Sequence, residues 1–304
     1  MNNLKTALIC IAKMENAYIR DFVEYYHHLG ITHIFLFDNN DIDGEQFTDV
    51  IDDYIREGYV DVINIRGATS MFSAYNHEYS LQGTVYTFCY LTMCKSYDWV
   101  IALDVDEFLT FTDDNMTIDK YLSQDHFSDV DEIWINWMCY GDSGKIYPEP
   151  GVAVYDYLTE PIKDGHSTWN DPATGRLDNQ NIKLILRTNL PIEYESPHIV
   201  KYPDNYDFTV AIATGEHIIG GEKYLNYSER IDFSCAYIRH YVTKTISEWM
   251  QFKMQRGYPS YNNYYVALYP GAFFRHGNEW TIEKQEFIDK FMYENYVKKD
   301  GTKN

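Results

Sequence analysis

The chain has 304 residues, 45% of them hydrophobic, and a formal net charge of −21, which is enough chain for one large α/β domain with a substantial core. That charge excludes a protein that tracks nucleic-acid phosphates or adsorbs broadly to anionic lipid, since both surfaces repel it. Small charged ligands stay compatible, provided that a cation stands between them and any carboxylate site.

The N-terminal hundred residues alternate strand and helix signals. Residues 5–12 form an apolar run that predicts a first buried strand; the run is too short for a signal-peptide core and is followed at once by Lys13 and Glu15. Tyr18, Phe22, Tyr25 and Leu29 recur at helical spacing, and Gly30 follows as a C-terminal cap. Residues 32–37 predict a second strand, 38–44 a polar turn, 46–56 a short helix stopped by Gly58, and 59–65 a third strand. Residues 79–96 predict a helix leading into the strand of 99–103. This βαβαβαβ order implies a mostly parallel sheet with right-handed crossovers.

Beyond residue 108 the regularity fades. Strands are expected at 131–140, 182–187, 208–212 and 233–241, and residues 141–175, rich in Gly, Pro, Asp and Tyr, predict long loops of the kind that set selectivity. Helices are expected at 245–256, stopped by Gly257, and at 281–297. The division this suggests is a principal domain over 1–257 and a helical extension over 258–304 packed on it. No run approaches the roughly 18 apolar residues of a membrane helix, so no integral membrane segment is expected, while peripheral contact is left open. The five cysteines are odd in number, scattered and without C-x-x-C spacing, which points to a reducing, cytoplasmic compartment.

The most informative stretch is 98–108, DWVIALDVDEF. A strand covered on both faces runs directly into Asp104, Asp106 and Glu107, and ligands of open α/β sheets collect at such carboxyl ends. Three like charges repel one another unless a cation is present, so the tip reads as a divalent metal site; the alternative is a solvated acidic turn. Asp38, ending the second strand, is either an acceptor for ribose hydroxyls or a base edge, or one member of an Asx turn. The turn at 38–44 fails the EF-hand register, because the closing acid would fall on Val50. Arg239, His240 and Lys244 surround a strand end and a helix start, a setting suited to phosphate oxygens, although a lone histidine is more often structural. There is no G-x-G-x-x-G, P-loop, H-E-x-x-H or G-x-S-x-G, which removes dinucleotide enzymes, P-loop kinases, zincins and α/β hydrolases.

Residues 13–30, KMENAYIRDFVEYYHHLG, then 35–39, FLFDN, then the acidic tip, and finally 239–245, RHYVTKT, with Glu248 and residues 253–257, together resemble the family 2 and family 92 type glycosyltransferases of GT-A fold. The resemblance implies a Rossmann-like, mostly parallel central sheet flanked by helices, a loop-rich acceptor region and C-terminal helices. It implies a UDP-linked nucleotide-sugar donor and Mn²⁺ or Mg²⁺ held by Asp106 and His240. Asp104 is counted both with these ligands and toward the donor ribose or sugar. Lys13, Glu15, Asn16 and Asp38, with Gln82 nearby, would line the nucleoside pocket, and Lys244 would meet the phosphates. The chemistry implied is inverting hexosyl transfer to a glycan or lipid-linked saccharide, as in polysaccharide biosynthesis. Asp142 is the expected base, and Glu216 and His217 are the alternatives. Two departures are Tyr140-Gly141 where the family has Phe-Gly, and Lys244-Thr245 where it has Lys-Ser. The competing readings are a nucleotidyltransferase and an inactive carbohydrate-binding protein of the same fold.

Overall fold

The computed structural model describes residues 4–68, 80–162, 177–256 and 270–298. Strands β1 (Thr6–Ala12), β2 (His33–Asp38) and β3 (Val60–Asn64) pair in parallel, and β4 (Trp99–Ala102) joins the free side of β1, also in parallel. Every residue of β1 and β4 is buried, which is why both read as unbroken apolar runs rather than alternating ones. Between these strands run α1 (Ile19–Leu29), α2 (Thr48–Arg56) and α3 (Leu81–Thr92). Gly30 ends α1 at φ 94°, a left-handed conformation from which the N–H groups of Gly30 and Ile31 turn back onto the carbonyls of His27 and Tyr26. One sheet face packs Ile9, Ile11, Phe35, Phe37, Val100 and Ala102 against Val85, Tyr86 and Cys89 of α3. The expected start of that helix, residue 79, lies outside the described residues.

The second half departs from a simple parallel sheet. It supplies β5 (Glu107–Phe111), β6 (Glu132–Cys139), β7 (Ile182–Arg187), the hairpin of β8 (Glu193–Ser196) and β9 (Ile199–Lys201), then β10 (Val210–Ile212), β11 (His217–Ile218) and β12 (Ala236–His240). The main sheet runs β11-β10-β6-β7-β4-β1-β2-β3, with β5 and β12 paired off that path. β7 is antiparallel to both of its neighbours, β4 and β6. It therefore brings a late segment of chain beside the strand that carries the acidic tip.

The chain divides into two compact units, and the division differs from the expected boundary at residue 257. The sheet belongs to the first, built from Met1–Met138 and Asn179–His240, whereas Cys139–Asp178 and Tyr241–Gly257 group with Asn263–Asn304 in the second. The cause is a set of bonds that tie these three segments together: Ser247 N–H donates to the Ile146 carbonyl at 3.1 Å, Tyr157 Oη to Glu248 Oε1 at 3.0 Å, and Asp142 N–H to Asn278 Oδ1 at 2.8 Å. The helix expected at 245–256 is broken into Ile246–Glu248, a π-helical turn at Trp249–Lys253, and Met254–Arg256. The last helix is Ile282–Met292, followed by a π-helical turn at Tyr293–Val297. Gly257 and residues 163–175 of the expected loop region lie outside the described residues. Among the described residues, no helix is long and apolar enough to cross a membrane.

Candidate active site

The acidic residues occupy a tight turn between β4 and β5. Glu107 N–H donates to the Asp104 carbonyl at 3.0 Å, and Asp104 N–H returns a bond to Glu107 Oε2 at 2.9 Å. Tyr26 of α1 pins the far side, its hydroxyl donating to the Glu107 carbonyl at 2.9 Å and accepting from Leu109 N–H at 2.8 Å. The turn thus holds its shape through backbone bonds, and its three carboxyl groups meet three different surroundings.

Asp104 is the most open, with its side chain 36% exposed, yet both of its oxygens are engaged by donors from other elements. Gln82 Nε2 donates to Oδ1 at 3.1 Å and to Tyr86 Oη at 3.0 Å, while Lys183 Nζ donates to Oδ2 at 3.0 Å. Glu107 is fully buried and lies 3.0 Å from the same ammonium. Burial pushes its carboxyl upward; the adjacent Lys183 ammonium opposes that rise, and Asp104 and Asp106 add to it. Burial would lower the Lys183 ammonium, but the Asp104 and Glu107 carboxylates reverse this and hold it above the ordinary lysine range.

Asp106 is buried, with Oδ1 3.8 Å from His240 Nε2. The β5–β12 pairing explains the meeting, because His240 stands directly opposite Glu107 in the antiparallel register. The His240 ring lies 4.0 Å from that of Trp137 on β6, and Trp137 also meets His198 at 4.9 Å. An imidazole nitrogen and a carboxylate oxygen at this separation are too far apart for a hydrogen bond. They are suited to converging on one small cation. Among the described residues, no group of three or more His, Cys, Asp or Glu side chains is arranged to hold a metal ion. Mg²⁺ and chemically similar ions commonly take one or two carboxylates and complete their shell with substrate phosphates and water, so the donor set of Asp106 and His240 fits such an ion. Asp104, expected among the ligands, is instead bonded to Gln82 and Lys183.

The loops after β1 and β2 knit together at the same carboxyl edge, where Ala12 and Asp38 are register partners. Lys13 pairs with Asp41 at 2.7 Å, Asn16 N–H donates to Glu45 Oε1 at 2.8 Å, and Met14 N–H donates to Asn40 Oδ1 at 2.8 Å. Glu15 is buried, and its carbonyl accepts from Tyr18 and Ile19 at the entry to α1. Asp38 forms the Asx turn: Oδ1 accepts from Asn40 N–H at 3.0 Å, and Oδ2 pairs with Arg66 Nε at 2.8 Å. Arg66 also donates to the carbonyls of Asp41, at 3.1 Å, and Glu45. Residues 13–16, 38 and 82 thus share one edge of the sheet.

Three expectations change. Asp142 is buried, with Oδ1 accepting from Gly144 N–H at 3.0 Å and Oδ2 paired to the buried Lys284, a geometry that fits a loop anchor better than a proton acceptor. Glu216 pairs with Arg230, and His217 belongs to β11, the edge strand four places from β4, about 19 Å away at ordinary strand spacing. The helix start after Lys244 is closed by a capping box, in which Glu248 Oε2 accepts from Thr245 N–H at 2.9 Å and Thr245 Oγ1 at 2.6 Å. The Thr245 N–H and hydroxyl at that helix start are therefore engaged internally. Lys244 itself is buried, at a φ of 53°.

Lys183 and Arg66 are invisible to motif spacing. The signal for Lys183 is a single cation inside the run IKLIL at 182–186, since a buried strand cannot carry an ammonium without a counter-charge. Arg66 follows β3 and has no comparable signature.

The sequence profile of glycosyltransferase family 92 matches residues 5–266. No curated protein matches the chain. Among solved structures, Staphylococcus aureus TarS is similar over 79% of this chain and 37% of its own, at 10% identity and a TM-score of 0.37. Its residues 1–349 in complex with UDP-GlcNAc are similar over 97% of this chain and 73% of that one, at 10% identity and a TM-score of 0.39. The chain thus spans little more than a third of the full TarS chain.

Proposed function

This chain belongs to glycosyltransferase family 92, and from that premise we propose that it moves a hexose from a UDP-linked sugar to a hydroxyl of a glycan or lipid-linked saccharide, with inversion and with Mn²⁺ or Mg²⁺ as cofactor. The observation that carries the reading is the approach of Asp106, in the turn that follows the parallel strand β4, to His240 at the end of β12. Asp106 and His240 would hold the cation. When bound, it would supply Lewis-acid neutralisation of the departing diphosphate. Asp104, fixed by Gln82 and Lys183, keeps its remaining lone pairs toward the donor's ribose or sugar hydroxyls. The knitted loops after β1 and β2 supply the nucleoside side, where a ribose or base would exchange partners with Asp38 and Lys13. Inversion needs a carboxylate to receive the acceptor's proton, and Asp142 would have to release Lys284 to do so.

The test is thermal denaturation with UDP and Mn²⁺. The pair is expected to raise Tm, and Asp106→Asn is expected to abolish the rise; stabilisation that survives the substitution refutes the site. Consumption of a nucleotide sugar with release of UDP supports transfer. Release of pyrophosphate would assign a nucleotidyltransferase, and UDP binding without consumption of any donor would assign a binding protein.

A further inference from the structure

Transfer with inversion asks for a group to take the acceptor's proton, and Asp142 is already paired to Lys284. An imidazole performs the same proton transfer as a carboxylate, and the tip of the β8–β9 hairpin presents one. His198 lies between the two strands and follows Pro197, with its backbone N–H donating to Ser196 Oγ at 3.1 Å. The proline fixes one backbone angle and the serine bond closes the turn, so the ring projects from a defined backbone. The hairpin is in turn fastened to α3, where Tyr194 N–H donates to Thr87 Oγ1 at 2.8 Å.

Two contacts hold the ring at the carboxyl edge of the sheet. His198 Nδ1 lies 2.7 Å from the carbonyl of Ile182, the first residue of β7. The next residue is Lys183, whose ammonium meets Asp104 Oδ2 at 3.0 Å. The imidazole also lies 4.9 Å from the Trp137 ring, which stands 4.0 Å from that of His240. His198 is therefore one indole removed from a candidate cation ligand. A carbonyl oxygen only accepts, so Nδ1 carries the hydrogen and the basic lone pair resides on Nε2. The residue is partly exposed.

Resting on the transfer reaction proposed above, we propose that His198 is its catalytic base and receives the acceptor's proton on Nε2. The acceptor hydroxyl oxygen bonds to the anomeric carbon as the bond from that carbon to the diphosphate oxygen breaks, the electron pair leaving with the diphosphate. The hydroxyl proton passes to Nε2, and the imidazolium so formed still donates from Nδ1 to the Ile182 carbonyl.

The test uses His198→Asn, whose amide N–H can replace the bond to Ile182 while the basic lone pair is lost, and His198→Ala, which leaves room for added imidazole. Turnover is read as UDP release from pooled UDP-sugars with Mn²⁺, water serving as the acceptor. His198→Asn is expected to lower the rate at least about a hundredfold, to leave donor KM within about twofold, and to keep the rise of Tm with UDP and Mn²⁺. Added imidazole is expected to restore turnover to His198→Ala and to leave the unaltered protein unchanged. A rate in folded His198→Asn within about threefold of the original overturns the proposal, as does a lost rate accompanied by lost stabilisation, or no rescue in folded His198→Ala. Failure of the glycosyltransferase reading shows instead in the unaltered protein, as no stabilisation by UDP with Mn²⁺; an unaltered protein that is stabilised yet releases UDP no faster than His198→Asn overturns the base alone.

Discussion

Glu132 at the start of β6 is a buried carboxyl held by two neutral side chains. Trp134 Nε1 donates to Oε1 at 2.6 Å and Tyr202 Oη meets Oε2 at 3.2 Å. Burial pushes its pKa from 4.5 up to about 7, the two hydrogen bonds oppose the rise, and Asp131 adds to it. Because the folded value is the higher one, the native chain binds more protons between the two values, and stability falls as pH rises through that interval. The shift corresponds to about 3 kcal/mol; the protonated group's contribution is full below pH 4.5 and gone above about 7. Glu132→Gln reproduces the protonated form, with an oxygen for Trp134 and an amide N–H for Tyr202. In urea denaturation followed by tryptophan fluorescence, the variant should exceed the unaltered protein by about 3 kcal/mol near pH 8.5, with most of the difference gone by pH 5. A difference independent of pH, or a variant less stable at both values, would refute a neutral Glu132 in the fold.

Gly83→Ala should destabilise by about 1–3 kcal/mol in thermal unfolding, because a Cβ at that position would lie 2.6 Å from the Tyr194 carbonyl. Gln82→Leu should leave Tm within a few degrees while raising the donor KM about tenfold, the loss of one oriented bond to Asp104; unchanged KM would remove Gln82 from the site. Thr245→Ala opens the capping box and should cost about 1 kcal/mol, read as a lower urea midpoint. Lys284→Met strands the buried Asp142 carboxylate and should cost about 3–5 kcal/mol, with Asp142→Asn on the same background recovering most of it if the pair is a loop anchor.

The elements that could be read in advance are those whose physics is local. β1 and β4 announce themselves as apolar runs because both faces are covered, and Gly30 marks the end of α1 because a left-handed residue is needed there. The positions of Asp104 and Asp106 just beyond a buried strand, and of His240 at the end of a late one, also follow from local apolar runs. What stayed hidden depends on pairing between distant segments. Nothing near residue 183 states that β7 runs antiparallel beside β4, so neither the buried ammonium nor its hold on Asp104 could be inferred from spacing. The same holds for Asp142, whose partner Lys284 comes from another segment, and for Thr245, where a helix-start signal served an internal cap. Arg66 occupies Asp38 by a loop closure that no local pattern encodes.

The antiparallel seat of β7 also bears on how the chain matures. Lys183 follows Asp104 by 79 residues, so during synthesis the first four strands can emerge and pair while the acidic turn still lacks its ammonium. Contacts of such wide separation form late. A nascent chain halted before residue 183 would carry Asp104 and Glu107 without the ammonium that meets both in the finished fold.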